Sequence, residues 1–126
     1  MTCAFNRTRG TCLATNLAIA RTHWSRFRGL MGASATSFPI GCGLWIIPSH
    51  GIHTMAMRFA IDALYLDSQQ VVIHVEEHLE PWRLAAVRMH AASVMEFPVG
   101  TVKASSTAIG DQIDVVEQSP IHTEAA

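Results

Sequence analysis

Little in this sequence is charged. Asp, Glu, Lys and Arg make up only 15% of the 126 residues, and nine basic against ten acidic side chains leave a net charge of −1. With no basic excess there is no field to hold nucleic acid or an anionic bilayer, so neither is an expected partner. The low charge does not signal disorder, because 49% of the residues are hydrophobic and disorder requires the opposite balance. Long apolar runs are also missing. The longest, such as Leu44-Trp45-Ile46-Ile47, reach about four residues against the ~20 of a spanning helix. Met1 to Gly10 carries Arg7 and Arg9 but no apolar stretch of signal-peptide length, which makes the cytoplasm the default location. Cysteine is scarce: Cys3, Cys12 and Cys42 include no CxxC pair, a poor disulfide framework and a poor zinc site. They read as incidental thiols, with a Cys3–Cys12 bridge or a reactive Cys42 between two glycines as alternatives.

What is present is a chain long enough for one domain, spanning 1–126, with one core. Leu13, Leu17 and Ile19 place a strand or strand pair over Cys12–Arg21. Thr22 is positioned to cap a short helix carrying Trp24, Phe27 and Met31 at helical spacing, and Gly29 marks its early end. Gly32 to Gly43 reads as a loop, and Leu44–Ile47 as a strand closed by Pro48. From Ile52 the pattern is extended through Leu66, with a break near Ala60 allowed. A turn at Ser68-Gln69-Gln70 joins it to a strand at Val71–Val75. Ala85–Ala92 reads as one or two helical turns, Ser93–Phe97 and Gln112–Val116 as strands, and 118–126 as a frayed polar tail. Many short strands with one or two short helices make this a mainly β, barrel-like single domain.

Four segments, in order, carry a resemblance: Arg28-Gly29-Leu30-Met31, the block Ile52-His53-Thr54-Met55-Ala56-Met57-Arg58-Phe59-Ala60-Ile61-Asp62, Pro81-Trp82-Arg83, and Met95-Glu96-Phe97-Pro98-Val99-Gly100, with Gly110-Asp111 following. Over about 16–116 the chain resembles the small family called domain of unknown function 192. The resemblance implies a small β-rich barrel-like domain and no particular activity. An aromatic residue is usual in that family where Met55 stands, and proline where Ala60 stands.

If Ile52–Asp62 is extended, period two puts His53, Met55, Met57, Phe59 and Ile61 on one face and Thr54, Arg58 and Asp62 on the other. Neighbouring members of that polar row would be about 13 Å apart at ~3.3 Å per residue. Glu96, among Val94, Met95 and Phe97, is an acid in apolar company whose pKa burial would raise. Should Asp62 and Glu96 share a cleft, they form the carboxyl pair of a glycosidase. An ion pair between Arg58 and Asp62 that merely pins strands is the simpler alternative.

His50, His53, Met55 and Met57 could ligate Cu(I) through imidazole and thioether, although methionines beside Phe59 and Ile61 fit core filling better. No zinc spacing, nucleophile elbow or phosphate-binding glycine loop is present, and no cofactor is expected. Trp82-Arg83 could stack on a sugar. The expected site is therefore Thr54, Arg58, Asp62 and Glu96, with Arg83 and Asp111 at its rim and His53 joining if the strand bends. The leading expectation is a binding domain for a small polar ligand such as a saccharide. A glycoside hydrolase using Asp62 and Glu96 is the first alternative, and an assembly module pairing through a sheet edge the second.

Overall fold

The computed structural model describes residues 1–117; the tail expected at 118–126 lies outside them. Eight strands run β1 (Thr2–Asn6), β2 (Thr11–Ala14), β3 (Asn16–Ala20), β4 (Cys42–Ile46), β5 (Ile61–Leu66), β6 (Val72–Leu79), β7 (Ser93–Pro98) and β8 (Ile113–Glu117). Helix α1 (His23–Arg28) follows β3, and α2 (Thr101–Ser105) follows β7. The strands form a three-stranded sheet ordered β2-β1-β8 and a five-stranded sheet ordered β3-β4-β7-β5-β6. Only β3 and β4 pair in parallel. The fold is mainly β with two short helices, as expected, and the two sheets remain separate rather than closing into one barrel.

Every residue of the central strands β5 and β7 is buried, so both faces of the larger sheet are covered. One face, with Leu64, Leu66, Met95 and Phe97, packs against Ala4, Leu13 and Ile113 of the small sheet and Val102 of α2. The opposite face carries Ala63, Tyr65 and Val94 under Ala91, Leu44 and Ile46 under Leu30 and Ile52, and Ile61 under Phe38 and Met57. Irregular chain roofs this second face, and the cleft described below opens there.

At Gly43 of β4 the packing leaves no room for a side chain. A Cβ there would lie 2.9 Å from Phe97 Cε1 and 3.0 Å from Leu17 Cδ1, both in the core. Gly43→Ala should cost about 1–3 kcal/mol through overpacking, read as a lower urea midpoint with an unchanged slope; a midpoint equal to that of the parent would show that Phe97 swings aside freely.

Several expectations need correction. Cys12 lies opposite Phe5 in the β1–β2 ladder, not opposite Cys3, and all three thiols are free. The segment Ile52–Ala60 is not a strand. Extended structure begins at Ile61, and Met57 N–H closes a turn on the Thr54 carbonyl at 3.2 Å. Ala56 there takes φ 60°, a conformation few residues other than glycine adopt, so period-two alternation never applies. Ala85–Ala92 is not helical either: Ala85 N–H bonds to Ile52 O and Arg88 N–H to His50 O, and the Tyr65 hydroxyl donates to Ala86 O at 2.6 Å. In both segments the backbone groups find partners across the loop cap, which outweighs local propensity. Strand β1 and helix α2 went unrecognised because neither has a long apolar pattern.

Candidate functional site

A cleft of about 430 Å³ opens over the roofed face, between α1, the 48–53 loop and the sheet. Helix α1 forms one of its walls because Thr22 starts the helix there. The Thr22 hydroxyl accepts the Ser25 N–H and the Ser25 hydroxyl accepts the Thr22 N–H, each at 3.0 Å, a reciprocal cap that satisfies two otherwise free donors. Gly29, at φ 46°, ends the helix. The apolar stripe expected on this helix is not buried, since Trp24 is 68% and Phe27 56% exposed. Their rings instead meet in a tilted contact at 6.0 Å between centroids, and Phe27 makes another with the His53 ring at 5.4 Å.

Glu96 belongs to the lining of this cleft. Strand β7 places it between Leu44 of β4 and Ala63 of β5, on the roofed face. It is 2% exposed, and its Oε1 has no hydrogen-bond partner among the described residues. Burial pushes its pKa up to about 8, so at neutral pH Glu96 is mostly a protonated, neutral acid.

Arg26 of α1 is the second polar group of note. Its Nη1 donates to Pro48 O at 3.0 Å and its Nη2 to His23 Nδ1 at 3.0 Å, which fixes the guanidinium, while the buried Nε–H has no acceptor. His53 is fully engaged: Nε2 donates to Phe27 O at 3.0 Å and Nδ1 accepts the Met55 N–H at 3.2 Å. His50 donates from Nδ1 to Ala91 O at 2.7 Å.

The other expected site residues are dispersed. Asp62 lies opposite Phe97 in the β5–β7 ladder, whereas Glu96 lies opposite Ala63. Directly paired residues share a face and successive ones alternate, so Asp62 and Glu96 point to opposite sides of the sheet. The Asp62 oxygens are also occupied. Oδ1 accepts His78 N–H at 2.9 Å, and Oδ2 accepts Gly100 and Val102 N–H at 3.0 Å each. Thr54 is fully buried; its hydroxyl donates to Glu80 O at 2.6 Å and accepts Arg83 N–H at 2.8 Å, clamping the 80–83 loop. Arg58 and Arg83 are exposed and do not line the cleft. Asp111 sits at the start of β8. Burial alone would raise its pKa, but hydrogen bonds from Arg9, Asn6 and the Ala108 amide outweigh burial and lower it. The polar row of Thr54, Arg58 and Asp62 is therefore not assembled.

The copper expectation loses its geometry as well. Met57 is 3% exposed and packed with Phe38 and Ile61, His53 has no nitrogen left, and Met55 lies in the turn. Among the described residues no group of three or more His, Cys, Asp or Glu could hold a metal.

Sequence reasoning missed Arg26 and His23, which it left without a role. A signal was present in the segments that carry the resemblance. Arg28–Met31, Ile52-His53 with Met57, and Glu96 come from three of them, and all line this one cleft.

Comparisons with known proteins agree on the family. The model for domain of unknown function 192, described as "Uncharacterized ACR", matches residues 4–115. A UPF0127 protein of Thermococcus sibiricus is 32% identical over 114 residues, covering 86% of this chain and 71% of its own. One from Pyrococcus furiosus is 28% identical over 114 residues, covering 86% and 94%. Among solved structures, a protein of unknown function from Novosphingobium aromaticivorans superposes with a TM-score of 0.74 at 14% identity, over 90% of this chain and 82% of its own. A Sinorhizobium meliloti structure gives 0.73 at 18% identity, over 90% and 91%. These two likenesses concern the fold alone. The sequence matches go further: this chain belongs to the domain of unknown function 192 family, whose curated members are called UPF0127 proteins.

Proposed function

We propose that this protein binds a small polar ligand in the cleft between α1, the 48–53 loop and Glu96. The observation that carries the reading is that two residues of its lining, Arg26 and Glu96, each hold a buried polar atom without a partner, Nε and Oε1. Leaving a buried donor or acceptor unmade costs about 1–3 kcal/mol. Such groups persist where a bound molecule supplies the partner, and a cleft of a few hundred Å³ is of ligand size. Hydrolysis of glycosides by Asp62 and Glu96 has no support, because the two carboxyls lie on opposite faces and Asp62 is consumed by backbone donors. The case for a saccharide rested on Trp82 beside those carboxyls. Trp82 does not line the cleft, so the reading here is of a polar ligand of another kind.

The test is a thermal-shift screen of the full chain with small polar metabolites, repeated with Met31→Trp, which fills the cleft from its wall. At least one compound should raise the melting temperature of the parent, and Met31→Trp should abolish that shift while keeping the β-sheet circular dichroism. If no compound shifts the parent, or if every shift survives in Met31→Trp, the cleft is not a binding site.

A further inference from the structure

Resting on the reading of the cleft as a binding site, we infer that its ligand is a small organic carboxylate whose oxygens accept from the free Nη N–H groups of the Arg26 guanidinium and whose apolar body lies against Met31, Ile46 and Met57. Two of the three guanidinium nitrogens of Arg26 are already held by Pro48 O and His23 Nδ1. The group is thus oriented before any ligand arrives, and three of its five N–H donors are left over: Nε–H and one on each Nη. Because His23 Nδ1 accepts from Arg26, the proton of the neutral ring sits on Nε2, a further donor. Glu96 is the one acid in the lining and carries its proton at neutral pH, so it too offers O–H rather than negative charge.

The surroundings have the same polarity. Segments 21–60 and 80–92, which include the roof of this face, contain Arg21, Arg26, Arg28, Arg58, Arg83 and Arg88 against the single acid Glu80. A donor-rich cleft lined by Arg26 and Arg28, with no ionised carboxylate in its lining, selects an acceptor-rich anion. Beside these polar groups and Arg28, Ser49, His50 and His53, the lining has an apolar part made by Leu30, Met31, Ile46, Ile52 and Met57. A bare inorganic anion would leave that surface wet, whereas an acid with a short hydrocarbon body covers it.

Calorimetric titration of the full chain at neutral pH tests this with four probes: a series of short linear and branched monocarboxylates, the matching primary amides, inorganic phosphate and glucose. At least one carboxylate should bind, its amide at least about tenfold more weakly, and Arg26→Gln should weaken the carboxylate by a similar factor. Arg26→Lys keeps the charge but lacks the planar, oriented N–H fork, and should also weaken it; Arg7→Gln, in the turn after β1, should not. Circular dichroism and melting establish that each variant folds. Equal affinity for acid and amide, unchanged binding in folded Arg26→Gln, or phosphate binding as tightly as the best carboxylate each overturns the inference. Binding of glucose or the amides alone overturns it while the cleft stands as a site. If no probe binds and the metabolite screen is also blank, both readings fall.

Discussion

Replacing Asp62 by alanine should destabilise the protein by on the order of 3–5 kcal/mol, the largest loss expected from any single polar side chain here. Its carboxylate is 1% exposed and is the acceptor for three backbone N–H groups: His78 in β6, and Gly100 and Val102 at the start of α2. Alanine leaves all three donors without an acceptor in a place water does not reach, and it removes the tie between β5, β6 and α2. The drop in melting temperature should be roughly 10–20 °C, measured by calorimetry and by urea unfolding. Asp62→Asn retains one acceptor oxygen and should fall between the two. A variant within 1 kcal/mol of the parent would mean that those amides find other partners. Asp62→Asn also separates scaffold from chemistry: while it stays folded, it should leave any binding in the cleft unchanged, because its side chain is on the other face of the sheet.

Glu96→Gln should act in the opposite direction and make the protein more stable at neutral pH. Burial raises the Glu96 pKa from its ordinary 4.5 to about 8. Between those two values the unfolded chain releases the proton that the folded chain retains, so the folded state loses ground as pH rises. The slope is about 1.4 kcal/mol per pH unit. Below the lower value both states are protonated and the group has no pH-dependent effect; above the upper value both are ionised and the loss is complete. At neutral pH this amounts to roughly 3–3.5 kcal/mol. The glutamine variant lacks the term and should exceed the parent by about that amount, less whatever its own amide loses by burial. The other titratable and charged groups in the lining, Arg26, Arg28, His23, His50 and His53, are common to both proteins. Urea unfolding from pH 5 to pH 9 reads the effect as a difference between parent and variant that grows with pH and then levels off; a constant difference would show that Glu96 is solvated.

Much of the framework was legible in the residues. The strands around Leu17, Leu44, Leu64 and Val94, the Thr22 cap and the turn at Ser68–Gln70 follow from apolar runs, a capping hydroxyl and turn residues, all of which act within a few positions of the chain. The Ile52–Ala60 segment was misread because its alternation is real but its backbone is paired elsewhere. Thr54 and His53 bind the 80–84 loop, and a turn beginning at Thr54 breaks the period. The alanines at 85–92 likewise trade helical hydrogen bonds for contacts with Ile52, His50 and Tyr65.

Residue pattern alone specifies a small mainly β domain, its family, and the singular position of Glu96 as an acid among apolar neighbours. Strand register and loop crossing were decided only in three dimensions. A one-residue alternation between Asp62 opposite Phe97 and Glu96 opposite Ala63 places two carboxyls on opposite faces, one as a clamp for backbone amides and the other in a cleft. The near-zero net charge also conceals an uneven distribution of charge along the chain, of which Arg26 and Arg28 reach the cleft. Six of the nine basic residues lie in the segments that include the cleft's roof, while most acids lie elsewhere. Composition averages charge over the whole chain, but a ligand meets the field of one face.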